Sequence, residues 1–111
     1  MVIARKDNEL QFLQAAKKGD IEGVKFGLSQ NINVNIRSEV GNSALWLAAF
    51  FSYLELCEYL LQKGADPLLS DSEGCTPFAN AYYSENKEIL ELFEKFVGEK
   101  YDSDKHWGFK Y

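Results

Sequence analysis

This sequence predicts an all-α chain, a helix-turn-helix solenoid of about three units with projecting hairpin turns, on three observations. First, residues 41–66, GNSALWLAAFFSYLELCEYLLQKGAD, open at a turn glycine and enter a short apolar run. They break at Ser52, continue through a second amphipathic run and stop at Gly64. Second, the pattern returns at a step of 33 residues, from Gly41 to Gly74. Ser43, Leu45 and Ala48 recur as Thr76, Phe78 and Ala81, and Leu56 and Cys57 as Ile89 and Leu90. Backwards by the same step, Ala48 and Ala49 match Ala15 and Ala16, Leu54 matches Ile21, and Leu61 matches Leu28. Third, small residues recur in each first helix, so neighbouring helix pairs can approach closely. A fixed period of about 20–50 residues marks stacked units, none of which buries its apolar face alone.

The first unit spans roughly 5–37. Asp7 or Asn8 is expected to cap a helix whose apolar face is Leu10, Phe12, Leu13, Ala15 and Ala16. Gly19-Asp20 breaks it, and Ile21, Val24 and Leu28 carry a second helix thinned by Gly23 and Gly27. Residues 31–37 alternate polar with β-branched side chains, which in isolation would read as a strand. Within the repeat they become the arm of a hairpin turn, and the arm recurs at 67–73, so little or no true sheet is expected.

The second unit spans 38–70, and in its second helix Leu56, Cys57, Leu60 and Leu61 form one apolar stripe. The third spans 71–97. Its Glu94 stands where Leu61 does, a charge expected on the outward face of a terminal unit. Residues 98–111 leave the repeat. Their Trp107, Phe109 and Tyr111 suggest an aromatic tail, either a lid over Phe93, Phe96 and Val97 or an end that docks on a partner.

A turn glycine, Thr-Pro-Leu-His-x-Ala, a helix pair and Gly-Ala-Asp together form the pattern of the ankyrin repeat. Residues Gly74-Cys75-Thr76-Pro77-Phe78 resemble its opening, and Gly64-Ala65-Asp66 matches its end signal. The resemblance runs from about residue 10 to 97. Trp46 and Ala79 replace the family's histidine, and Ala44 stands where the next unit has Pro77.

Composition narrows the function. A chain of 111 residues with 46% hydrophobic content supports one domain with a modest core. Its net charge of −5 divides into +2 over residues 1–37 (six basic, four acidic) and −7 over 38–111 (six basic, thirteen acidic). An acidic body repels phosphate, so nucleic acid is not the expected partner. Most of these carboxylates read as a solvated surface that aids solubility, and attraction of a basic protein surface is the alternative they allow. No run approaches the ~18 apolar residues that a membrane span needs. Met1-Val2-Ile3-Ala4 meets Arg5-Lys6-Asp7 without the apolar core of a secretory signal. Cys57 and Cys75 sit in unlike settings, so no disulfide is implied and a cytoplasmic location is expected.

No catalytic constellation emerges. Lone His106 lacks partners at ligand spacing, so no metal or cofactor is expected. Gly41 and Gly74 are turn glycines, Ser43 and Thr76 are helix-capping hydroxyls, and Glu88, Glu91 and Glu94 lie along a solvated helix face. The resemblance instead implies a partner protein bound on the concave face, made from hairpin tips and the exposed ends of first helices. By position that face comprises Lys17, Lys18, Arg37, Glu39, Val40, Asn42, Phe50 and Phe51. The next unit adds Ser70, Ser72, Glu73, Cys75, Tyr83 and Ser84.

Phe50, Phe51 and Tyr83 are expected to form one aromatic patch with Arg37, Glu39 and Glu73 at its rim. The bland alternative turns Phe50 or Phe51 inward. Trp46 is expected to pack, supplying bulk for the missing histidine. The resulting expectation is a non-catalytic adaptor or inhibitor, monomeric or one subunit of a hetero-complex. An immunity protein that occludes a toxin and a structural subunit are the alternatives.

Overall fold

The computed structural model describes residues 3–100, with side chains to residue 98. The tail aromatics Trp107, Phe109 and Tyr111 lie outside the described residues. Six helices follow in order: α1 (Asp7–Lys18), α2 (Ile21–Ser29), α3 (Ala44–Phe50), α4 (Leu54–Gln62), α5 (Pro77–Tyr83) and α6 (Lys87–Lys100). Among the described residues there is no strand; the extended arms make only isolated bridges, Ile3 with Arg37 and Arg37 with Ser43. Successive helices pair as α1–α2, α3–α4 and α5–α6. The first helices stack in a row, α3 between α1 and α5, and α4 lies against α6.

Local chemistry repeats with the sequence step. Ser43 Oγ accepts from the Trp46 N–H (3.1 Å), and Thr76 Oγ1 from the Ala79 N–H (2.9 Å). Both bonds fill an orphan donor at a helix start. Ser38 Oγ accepts from the Asn42 N–H and Asp71 Oδ1 from the Cys75 N–H, tightening each hairpin. The left-handed residues fall at the same step: Gly19, Ser52 and Glu85 between paired helices, Asn31 and Gly64 after them, and Gly41 and Gly74 in the hairpins. Ser52 and Glu85 adopt, with side chains, a backbone conformation that glycine adopts freely.

The first helix begins otherwise than expected. Neither Asp7 nor Asn8 caps α1; Lys6 is the N-cap residue. Glu9 Oε1 reaches back to accept from the Arg5 N–H (3.0 Å) and Lys6 N–H (3.1 Å). These two bonds hold the Glu9 carboxyl below its usual range.

The core runs through the whole stack. Phe12, Val24, Leu45, Leu60, Ile89, Phe93 and Val97 are buried, together with Ala15, Ala16, Ala48, Ala49 and Ala81. The stripe predicted on α4 is fully buried, while Glu94 is exposed. Burying one leucine contributes about 1.5–3 kcal/mol. Gly23 and Gly27 do more than thin α2: a Cβ on Gly27 would stand 2.5 Å from Phe12 Cδ1, and one on Gly23 would stand 2.8 Å from the Ala15 Cβ. They let α2 close onto α1. Leu10 is a correction, since it is 48% exposed rather than part of the core.

Hydrogen bonds also cross between units. The Asp66 N–H donates to Asn35 Oδ1 (2.8 Å), Asn80 Nδ2 to the Trp46 carbonyl (3.2 Å) and Tyr53 Oη to the Lys17 carbonyl (3.0 Å). The Arg37 guanidinium donates to the Ser70 carbonyl, and the Ser72 N–H to the Val40 carbonyl. Gly41 sits under that last contact, where a Cβ would meet Ser72 N at 2.7 Å.

Two glycines therefore separate backbone strain from crowding. Gly41 and Gly64 share φ of +91°, but a Cβ on Gly64 would meet nothing within 4 Å. Gly64→Ala should cost about 1–2 kcal/mol from the left-handed conformation alone. Gly41→Ala should cost about 1–3 kcal/mol more, because the facing hairpin must move. Urea denaturation of both variants checks this; equal losses would contradict the close hairpin contact.

The two cysteines supply a second test. Burial pushes the Cys57 thiol up to about 12, whereas Cys75 is exposed. Because the thiolate is the reactive form, a thiol reagent in mildly alkaline buffer should label Cys75 in the native protein. Cys57 should label only on unfolding. Native labelling of both at similar rates would contradict the core position of Cys57.

Candidate protein-binding face

The row of first helices and the hairpins beside it make one surface. Ala15, Ala16, Ala48 and Ala49 are buried where α1 and α3 lie together, while Leu10, Phe50 and Phe51 stay exposed beside that contact. A groove of about 480 Å³ opens there, with Leu10, Leu13, Gln14 and Lys17 on one wall. Trp46, Leu47, Phe50 and Phe51 form the other wall, and Ser38 and Asn42 close the hairpin end. Leu10 and Ser38 also line a neighbouring depression of about 520 Å³, with Ala4, Arg5, Glu39 and Val40. The apolar strip thus runs from the hairpin tip to the end of α3.

The rings on α3 are ordered against one another. Phe50 stacks on Trp46 at 5.1 Å and 12°, and Phe51 meets Phe50 edge-on at 5.1 Å. Phe51 in turn stacks near Tyr53 at 5.9 Å. Such contacts contribute about 0.5–1.5 kcal/mol each beyond buried area. Phe50 is 56% exposed and Phe51 41%, so neither turns inward. Trp46 is half-buried and is both a packing residue and a wall of the groove. Its Nε1–H is buried and has no acceptor among the described residues.

The residues singled out in the sequence divide over this surface. Phe50, Phe51, Asn42 and Lys17 line the groove, and Val40 and Glu39 line the neighbouring depression. Arg37 is half-buried, with its guanidinium engaged by the Ser70 carbonyl. Lys18 does not line the groove but a separate depression with Gln11, Asp20, Gly23 and Phe26, which Gln14 borders as well. Tyr83 is exposed on α5 and meets Tyr82 edge-on at 5.1 Å. Among the described residues no ring contact joins Tyr83 to Phe50 or Phe51. Glu73 is exposed in the second hairpin, its N–H donating to Asp71 Oδ1.

Sequence reasoning misses Leu10, Leu13, Gln14 and Ser38 as parts of the groove. For α1 a signal is present: Leu10, Gln14 and Lys17 lie at i, i+4 and i+7, a face distinct from that of Phe12 and Ala16. Among the described residues no group of three or more acidic, histidine or cysteine side chains is placed to hold a metal ion. No described helix is long and apolar enough to cross a membrane.

Comparisons with known proteins agree with this architecture. The family model of ankyrin repeats in three copies matches residues 12–104. A putative ankyrin repeat protein, L271, of Acanthamoeba polyphaga mimivirus is 38% identical over 94 residues, 80% of this chain and 13% of that protein. Serine/threonine-protein kinase 12 of Arabidopsis thaliana is 32% identical over 88 residues, 79% of this chain and 19% of the kinase. Human 2-5A-dependent ribonuclease is 37% identical over 76 residues, 68% of this chain and 10% of the ribonuclease. The chain therefore spans less than a fifth of the length of each of these relatives. With the repeat step, the helix pairs and the family match in agreement, the chain belongs to the ankyrin repeat family.

Proposed function

We propose that this chain is a non-catalytic binding module that engages a partner protein on the face of first helices and hairpins, concave in this family, with Phe50 and Phe51 as anchors. Ankyrin repeats are general protein–protein interaction modules, typically without catalysis of their own. The observation that carries the reading is the ring chain Trp46–Phe50–Phe51, exposed along an open groove. Proteins rarely leave a contiguous apolar patch of this kind uncovered without a use. Aromatic anchors beside polar and charged side chains have the anatomy of an interface hot spot. Lys17, Arg37, Glu39 and Asn42 supply the surrounding polar groups, and Val40 adds an apolar contact at the hairpin tip. Tyr83 and Glu73 would extend the contact towards the third unit.

Such a module acts as an adaptor or as an inhibitor that covers its partner's surface; neutralisation of a toxin is one form of the second role. In either role the same residues make the contact. The enzymatic activities in the names of some relatives belong to proteins of which this chain matches a small part.

Replacing Phe50 and Phe51 with alanine should abolish binding, since truncating an interface anchor costs about 2 kcal/mol or more. Stability should fall far less than the ~3–5 kcal/mol of a core phenylalanine truncation. Affinity purification from the native source, wild type beside the double variant, and thermal melting of both check this. Retention of the same partner at full strength, or a core-sized loss of stability, would contradict it.

A further inference from the structure

We infer that the groove between α1 and α3 takes an apolar segment of the partner that carries a carboxylate, rather than the basic surface suggested by the overall charge of −5. The inference rests on the binding face proposed above and specifies what that face selects. Lys17 is the charged side chain among the described groove-lining residues, and no carboxylate lines the groove with it. In the adjoining depression Arg5 and Glu39 balance. Glu9, on the same helix as Lys17, has its carboxylate engaged by the backbone N–H groups of Arg5 and Lys6.

The acidic excess belongs to other parts of the chain. Residues 38–111 hold thirteen of the seventeen carboxylates, and Glu55, Glu58, Glu88, Glu91 and Glu94 are exposed on α4 and α6. Those helices follow the first helices rather than forming the groove. Solvent screening attenuates exposed charges beyond about 8 Å at physiological salt, so the groove's own ammonium governs contact there more than the distant excess does.

The available hydrogen bonds point the same way. Besides Lys17, which has three donors and no acceptor, the groove wall carries the Trp46 indole, whose buried Nε1–H lacks an acceptor among the described residues. A buried donor without a partner is unfavourable, and the Phe50 ring stacked on this indole is itself more than half exposed. A carboxylate on the segment neutralises the Lys17 ammonium, which backbone carbonyls alone leave uncompensated; a segment rich in lysine and arginine meets Lys17 as a like charge. The volume of about 480 Å³ fits a few apolar side chains, and the groove's continuity with the neighbouring depression favours an extended segment over a compact ligand.

Selection of a displayed library of random dodecapeptides against the full chain tests this directly, since the selection itself supplies the ligand. Enriched peptides should combine large apolar residues with Asp or Glu and lose binding to the Phe50→Ala/Phe51→Ala variant. Their affinity for Lys17→Glu should fall about ten-fold, and binding should change the Trp46 emission in a Trp107→Phe background. Peptides rich in Lys or Arg that still require Phe50 and Phe51 would overturn the partner chemistry and leave the binding face standing. Peptides indifferent to both phenylalanines would overturn the face itself. No enrichment would overturn both.

Discussion

The close approach of the first helices is the constraint on which the rest of this structure depends. Ala15, Ala16, Ala48, Ala49 and Ala81 are buried where α1, α3 and α5 stack. Methyl-sized side chains let these backbones come together, and dense packing leaves no room for larger groups between them. Leu10, Trp46, Phe50 and Phe51 consequently occupy the margins of the contact, where they become the walls of a groove. The proposed binding face is in this sense a product of the core: the side chains that stacking excludes are those that line the groove.

Around that constraint the chain repeats a small set of backbone solutions. A hydroxyl at the start of α3 and of α5, a left-handed residue between paired helices and a glycine in each hairpin recur at the same interval. The departures are as informative as the repeats. Tyr53 stands where Asp20 and Asn86 accept a helix-start N–H, and it makes no such bond. Its hydroxyl instead crosses to the Lys17 carbonyl while its ring covers Gly19. Trp46 stands where the family has histidine and joins an aromatic row. Both substitutions lie between the first and second units, beside the groove.

The period makes the fold legible in the sequence, because an interval of 33 residues equates positions whatever surrounds them. It reveals the paired helices, the hairpins, the stripe on α4 and the exposed Glu94. It does not reveal direction within a unit. Leu10 resembles a core residue because it is apolar and near Phe12, yet it faces the groove with Gln14 and Lys17. Lys17 and Lys18 look alike as neighbours, but adjacent helical positions lie about 100° apart, so they line different depressions on adjoining faces of α1. The start of α1 misleads because Asp7 is a common capping residue, whereas here Glu9 reaches back to two backbone N–H groups. Gly23 and Gly27 look like weakness in α2, since their value lies in contacts with Phe12 and Ala15 that only the three-dimensional structure supplies.

If close stacking of the first helices carries both core and groove, a wedge between them should damage the molecule more than any change at the rim. Ala48 is fully buried at that contact. Urea unfolding of Ala48→Leu, followed by far-ultraviolet circular dichroism, measures the cost directly. The predicted result is a loss of about 1–3 kcal/mol, as expected for overpacking a dense contact, with Phe50→Leu on the same helix close to wild type. An Ala48→Leu protein as stable as the wild type would show that the helices are not held at the separation described, and would contradict the account.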